Sequence, residues 1–191
     1  ALDGILIGRS LQSGFISKGV YKNAKYRFIL KPPQGWDIVI GSRYPGGMQK
    51  KGYLMEVSGK IAKSGEKLED YALEFCRHLF SDPNYSANFE KTEVMGIPAL
   101  KTEKSGPSSG MKTKTRFIEN NGIFYGFYLY HKEANIFADY NKEFDDAIAA
   151  SFSFMGEEEA NAIISENIND HMTIYKTKSG DTFEKICAEF Y

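Results

Sequence analysis

Hydrophobic and polar positions along this chain switch between a strand-like and a helix-like period, and the switches predict its elements. Residues 26–30, YRFIL, alternate as a strand does. KPPQG breaks that strand, and WDIVI at 36–40 resumes an extended apolar run. Pro32 and Pro33 keep this corner out of a central ladder position. GSRYPGGMQKKG at 41–52 is predicted to be loop, and YLMEVSGKIA at 53–62 a strand. From Ser64 to Phe80 the period becomes helical, with Leu68, Tyr71, Ala72, Phe75 and Leu79 on one face. Ser64 is placed to cap the helix, and Glu66 and Glu69 suit its positive end. Pro83 in SDPN cannot continue the ladder.

Strand patterns return from Phe89 to His131. FEKTEVMG, IPALKTEK and MKTKTRFIE are separated by turn chemistry, including the polar SGPSSG loop. Asn121-Gly122 suits the positive φ of a tight hairpin. IFYGFYLY at 123–130 is apolar on both faces and predicts a central strand covered on two sides. A second helix is predicted over 134–150. Phe137, Tyr140, Phe144, Ala147 and Ile148 share its buried face, and Asp145 and Asp146 point outward. SFSFM reads as a short return strand, and GEEEANAIISENIND as an acidic, partly helical connector. The chain ends in TIYKTKSGDTFEKICAEFY: a short strand, a turn at Ser179-Gly180-Asp181-Thr182, and an amphipathic helix. The fold class expected is α+β, an antiparallel sheet with helices packed on its faces. No βαβ alternation supports a doubly wound parallel sheet, and no internal repeat is visible.

Composition narrows the function classes more than it selects one. The 191 residues suit a medium domain, alone or with a fragment. An apolar content of 42% and an aromatic content of 14% argue against disorder. The net charge of −1 gives no field to recruit nucleic acid or an acidic membrane. No apolar run approaches the roughly 20 residues that span a bilayer. The opening ALDGILIG is too short for a signal peptide and lacks a basic flank. Ala1 is not an initiator Met, so an upstream segment is expected, with a secretion signal as one candidate.

The search for chemistry returns structural readings. His78, His131 and His171 are isolated from one another and form no HExxH pair, so no metal site and no cofactor is expected. Cys76 and His78 stand two apart on a helix and face nearly opposite ways, a poor nucleophile–base pair. Cys76 is expected to edge the buried face and His78 to be solvated. Cys76 and Cys187 make no metal spacing; they read as separate thiols, with a disulfide open in an oxidising compartment. GPSSG at 106–110 matches the letters of the Gly-x-Ser-x-Gly elbow around Ser108. The following MKTKTRF is strand-like, so a hairpin loop fits better than a nucleophile. Arg43, Lys50 and Lys51 read as a small solvated basic loop. Glu157, Glu158 and Glu159 need no role beyond the helix dipole and solubility. Gly35 allows a turn that a β-carbon would strain, and Trp36 supplies an apolar plate at the sheet edge.

Two stretches resemble known families. YKNAKYRFILKPPQGW at 21–36 resembles the opening of PsbP-like domains, where a strand enters a P-x-G-W turn. The resemblance runs over 21–155: a helix like SGEKLEDYALEF, then Val94, Gly96, Ile97, Pro98 and Ala99 in a V-x-G-I-P-A step, an aromatic hairpin, and a last helix leading into SFSF. It implies an antiparallel sheet sandwiched by helices (an α/β/α sandwich) and a mostly non-catalytic assembly or binding role. IYKTKSGDTFEKICAEFY at 174–191 resembles the first half of a LysM module, a family that binds N-acetylglucosamine polymers such as peptidoglycan. That resemblance implies carbohydrate contacts at Ser179, Gly180, Asp181 and Thr182, although the sequence reaches only half of such a module. The implied organisation is an N-terminal extension at 1–20, a PsbP-like domain at 21–155, an acidic connector at 156–172 and an incomplete LysM-like segment at 173–191. The expected role is a non-enzymatic binding or assembly module of a bacterial cell-envelope protein, periplasmic or envelope-associated, with peptidoglycan or an envelope protein as partner. The order of the two stretches also resembles the C-terminal region of HtpX-like zinc metalloproteases. An accessory region of such a protease is the alternative.

Overall fold

Short turns between alternating segments leave antiparallel pairing as the only local solution, and the chain takes it throughout. The computed structural model describes residues 6–7, 14–39, 44–105, 112–131, 141–169, 175–176 and 182. The elements are β1 (Leu6–Ile7), β2 (Phe15–Ser17), β3 (Val20–Asn23), β4 (Phe28–Leu30), β5 (Asp37–Val39), β6 (Gly46–Lys50), β7 (Tyr53–Ile61), α1 (Leu68–Phe80), β8 (Glu90–Val94), β9 (Ile97–Ser105), β10 (Lys112–Asn120), β11 (Ile123–His131), α2 (Asn141–Ser151), β12 (Phe152–Phe154), α3 (Glu157–Asn169) and β13 (Tyr175–Lys176). Seven strands form one sheet in the order β5-β6-β7-β11-β10-β9-β8. Four form a second, β12-β4-β3-β2, and β1 pairs with β13. The fold is α+β, antiparallel sheets with, among the described residues, three helices packed on them, as the pattern predicts.

β11 lies at the centre of the large sheet and is buried along almost its whole length. Ile123, Tyr125, Phe127 and Leu129 join one core with Phe28 and Leu30 of the small sheet and Phe144 and Ile148 of α2. Phe124 and Tyr128, on the opposite face, meet Tyr71, Phe75 and Cys76 of α1. The small sheet is therefore a layer between the large sheet and α3, whose Ala160 packs on Ala24 and Met155.

Several expectations need correction. Gly46–Lys50, read as loop, is a strand paired with β7. A β-carbon on Gly46 would stand 2.6 Å from the Tyr21 ring, and one on Gly47 2.8 Å from the Met55 carbonyl oxygen. These glycines serve close packing. Ser64 is not the cap of α1. It sits in a turn closed by Glu66 N–H to the Lys63 carbonyl at 3.0 Å, and the helix starts at Leu68 with Lys67 N–H donating to the Asp70 carboxylate at 3.4 Å. Asp145 does not point outward. It accepts from Arg116 Nε at 2.7 Å and from a terminal guanidinium nitrogen at 3.3 Å, and the Arg116 side chain is 1% exposed. The acidic connector is helical over 13 residues, in line with its partly helical reading, but two of its carboxylates do more than serve the dipole and solubility: Glu159 pairs with Lys22 at 2.8 Å and Glu157 with Arg27 at 3.1 Å. Phe15–Ser17, within the stretch read as an extension, pairs with β3. Phe137 and Tyr140 lie outside the described residues. Among those residues, no helix is long and apolar enough to cross a membrane.

Candidate functional site

Among the described residues, two clefts lie on opposite faces of the large sheet. The first is built by two turns. In Pro33-Gln34-Gly35-Trp36, the Trp36 N–H donates to the Pro33 carbonyl at 3.0 Å and Gly35 has φ +80°. This is the type II pattern, which wants glycine at its third position. The turn leaves Trp36 half-buried beside edge strand β5, as the reading of Gly35-Trp36 expects. The second turn is Lys51-Gly52, with φ of 37° and 88°, the two-residue hairpin that joins β6 to β7. Tyr53 follows it, its ring 6.4 Å from Trp36 and 4.1 Å from His131. His131 is buried beneath this hairpin rather than presented to a ligand.

The cavity between these turns and α2 measures about 480 Å³, inside the roughly 300–1,000 Å³ range of ligand sites. Trp36, Tyr53, Pro33 and Leu129 supply its apolar surface, and Ala147 and Ala150 of α2 leave the space open. Lys50 and Lys51 stand on one rim and Asp146 on the other. A β-carbon on Gly35 would lie 3.8 Å from Lys50 Nζ, so the ammonium rests over the tryptophan turn. Among the described residues, none of these three charges takes part in an ion pair.

The second cleft, of about 400 Å³, lies between α1 and β7. Several of its polar groups bond to one another. Lys60 Nζ donates to Glu66 at 2.7 Å and Glu74 at 2.6 Å. The Glu66 bond, then the Glu74 bond, raises the lysine's pKa, and the Lys60 bond, then the Lys63 N–H, lowers that of Glu66. Such a lysine stays protonated and is no general base. The Tyr71 hydroxyl is bonded to Ser58 Oγ at 2.7 Å, and burial holds it far from ionising. The rings interlock: Tyr44 stacks on Phe75 at 5.1 Å and Tyr71 on Phe124 at 5.4 Å. His78 is exposed at this cleft's edge, so it and His131 do not converge.

The remaining candidates divide between placed and undescribed. Cys76 is a free, fully buried thiol, and burial pushes its pKa up to about 12, which removes the thiolate that reactivity needs. Among the described residues no group of His, Cys, Asp and Glu is gathered as a metal site. Thr182 is exposed, whereas Ser179, Gly180 and Asp181 lie outside the described residues, as do Ser108, His171, Cys187 and Arg43. The sequence reading of Lys50 and Lys51 as an ordinary solvated loop missed their place on the rim; it gave Tyr53 no site role and read Asp146, which is exposed, only as pointing outward. The Lys-Gly pair before an aromatic residue was the available signal for the hairpin.

No protein-family model matches the chain, and no curated protein matches it in sequence. It is similar in fold to the solution structure of cyanobacterial PsbP (CyanoP) from Synechocystis sp. PCC 6803, at 16% identity and a TM-score of 0.49, over 74% of this chain and 96% of that one. It is also similar to LpqN of Mycobacterium tuberculosis, described as involved in cell envelope biogenesis, at 15% identity and a TM-score of 0.42, over 68% and 83%. A Bacteroides thetaiotaomicron structure matches at 13% identity and a TM-score of 0.48, over 78% of this chain and half of that one. Likenesses this distant carry no statement about ligand or activity.

Proposed function

We propose that this chain is a non-enzymatic binding or assembly module of a bacterial cell-envelope protein, with the Trp36 cleft as its recognition surface. One observation carries the reading: this cleft combines an aromatic wall with rim charges that make no ion pair among the described residues, whereas in the other cleft Lys60 is tied to Glu66 and Glu74, and Ser58 to Tyr71. A concave apolar site with a few polar groups at its edge is what binding requires. Among the described residues, two side chains with reactive potential are held in unreactive forms, Cys76 as a thiol and Lys60 as an ammonium. The envelope setting is supported by the PsbP-like stretch at 21–155 and the LysM-like stretch at 174–191. The latter supports association with peptidoglycan through Ser179, Gly180, Asp181 and Thr182.

The test is sedimentation with purified sacculi. The intact chain is expected in the pellet, and Trp36→Ala should shift part of it to the supernatant. No retention of the chain, nor of a longer one carrying a completed LysM-like module, would end the peptidoglycan reading. An HExxH motif in the same reading frame upstream would favour an accessory region of a zinc metalloprotease instead.

A further inference from the structure

We propose that the Trp36 cleft takes a sugar bearing a single carboxylate. The inference rests on the reading of this cleft as the recognition surface and adds the chemistry of its ligand. The half-buried indole of Trp36 and the aliphatic wall of Pro33, Ala147 and Ala150 offer a flat apolar surface, the complement of the C–H face of a pyranose ring. Both rim cations belong to the β6–β7 hairpin, and Lys50 Nζ lies over the turn that carries the indole. An anion bound against Trp36 therefore has an ammonium beside it.

The opposite rim limits how much negative charge fits. Asp146 leaves the three rim groups with a net charge of +1, which one carboxylate neutralises and a phosphomonoester dianion exceeds by one charge. Lysines are also point charges, without the planar fork by which arginine grips phosphate. The Asp146 carboxylate only accepts hydrogen bonds, so it calls for a ligand that carries hydroxyl or amide N–H donors as well as its own anion. A carboxylated sugar supplies the flat C–H face, one negative charge and those donors. An acidic peptide supplies the charge without the ring face.

The chain holds one tryptophan, so its emission reports this cleft directly. The intact chain is titrated with N-acetylmuramic acid, with N-acetylglucosamine and with triglutamate. The acidic sugar is the neutral one with a lactyl ether on its 3-oxygen, and that ether carries the carboxylate. We expect a saturable emission change with the acidic sugar and a response about tenfold weaker with the neutral one, the ratio that about 1.4 kcal/mol of charge contact gives. Raising salt from about 50 mM to about 500 mM should weaken only the acidic sugar. Lys50→Gln with Lys51→Gln should bring it down to the neutral level while the thermal melt stays unchanged, since both lysines are exposed. Equal binding of the two sugars, an indifferent double variant, or triglutamate binding as tightly as the acidic sugar overturns the proposal. A response to a muramidase digest of sacculi without preference for the acid removes only the carboxylate. No response to the digest or to either sugar removes the recognition reading as well.

Discussion

Replacing Asp145 with Ala takes a carboxylate away from a guanidinium that is 1% exposed. Arg116 then loses its bonds of 2.7 and 3.3 Å to Asp145. It keeps its 2.9 Å bond to the Thr115 carbonyl and its place 5.2 Å from the Phe144 ring centroid. Breaking a fully buried ion pair from one side costs about 3–5 kcal/mol, because a charge is left in a poorly solvated place. Asp145 is 32% exposed, so water reaches part of the vacated position and the cost drops. We expect Asp145→Ala to lose about 2–3 kcal/mol. In a chain of this length that lowers the melting temperature by roughly 5–10 °C. Urea unfolding followed by far-ultraviolet dichroism measures the loss. The control is the double variant Arg116→Met with Asp145→Ala, which removes both charges and should be more stable than Asp145→Ala alone. A single variant within about 0.5 kcal/mol of the parent, or a double variant less stable than it, refutes the argument that Arg116 depends on Asp145.

Gly46→Ala places a methyl group 2.6 Å from the ring of Tyr21, which is fully buried and bonded through its hydroxyl to the Pro45 carbonyl, so it has little room to swing aside. Overpacking of this kind costs about 1–3 kcal/mol, readable as a lower urea midpoint; an unchanged midpoint contradicts the close fit. Alkaline stability is set by groups that keep their protons in the folded chain: burial lifts Cys76 from 9.0 and Tyr21 from 10.0, each to about 12. The unfolded chain releases these protons first, so the stability they add is complete below about pH 9 and falls as pH rises toward 12. Urea midpoints should therefore decline across that window, and a flat profile contradicts the burial of both groups.

What could be read from residues alone was whatever depends on neighbours in sequence. The two-faced apolar run at 123–130 announced the central strand, Asn121-Gly122 announced its hairpin, and the stripe through Tyr71, Ala72 and Phe75 announced α1. Misreadings arose where a distant partner decides. Gly46 and Gly47 look like loop until Tyr21 and Met55 are laid against them. Asp145 looks solvent-facing because a carboxylate interrupts an apolar stripe, and its partner Arg116 is on another element. Arg116 in turn occupies an inward position of β10, where a period-two pattern expects an apolar side chain.

The same distinction separates the two clefts. In the α1 cleft, Ser58 and Lys60 of β7 meet Tyr71 and Glu74 of α1, and each side answers the other's hydrogen bonds. In the Trp36 cleft the facing elements are unlike: a hairpin ending in two lysines and a helix offering two alanines and Asp146. Helix α2 is drawn to the sheet by Phe144, Ile148 and Asp145, which fixes Asp146, one position further on, at the cleft rim. The residue that anchors the helix thus also sets the position of the acceptor that a ligand would meet. For that reason a conservative change at Asp145, such as Asp145→Asn, is expected to weaken ligand response at Trp36 as well as stability, whereas Asp146→Asn should weaken the response and leave the melt where it was. If both variants leave the titration untouched, α2 does not form the second wall of the site.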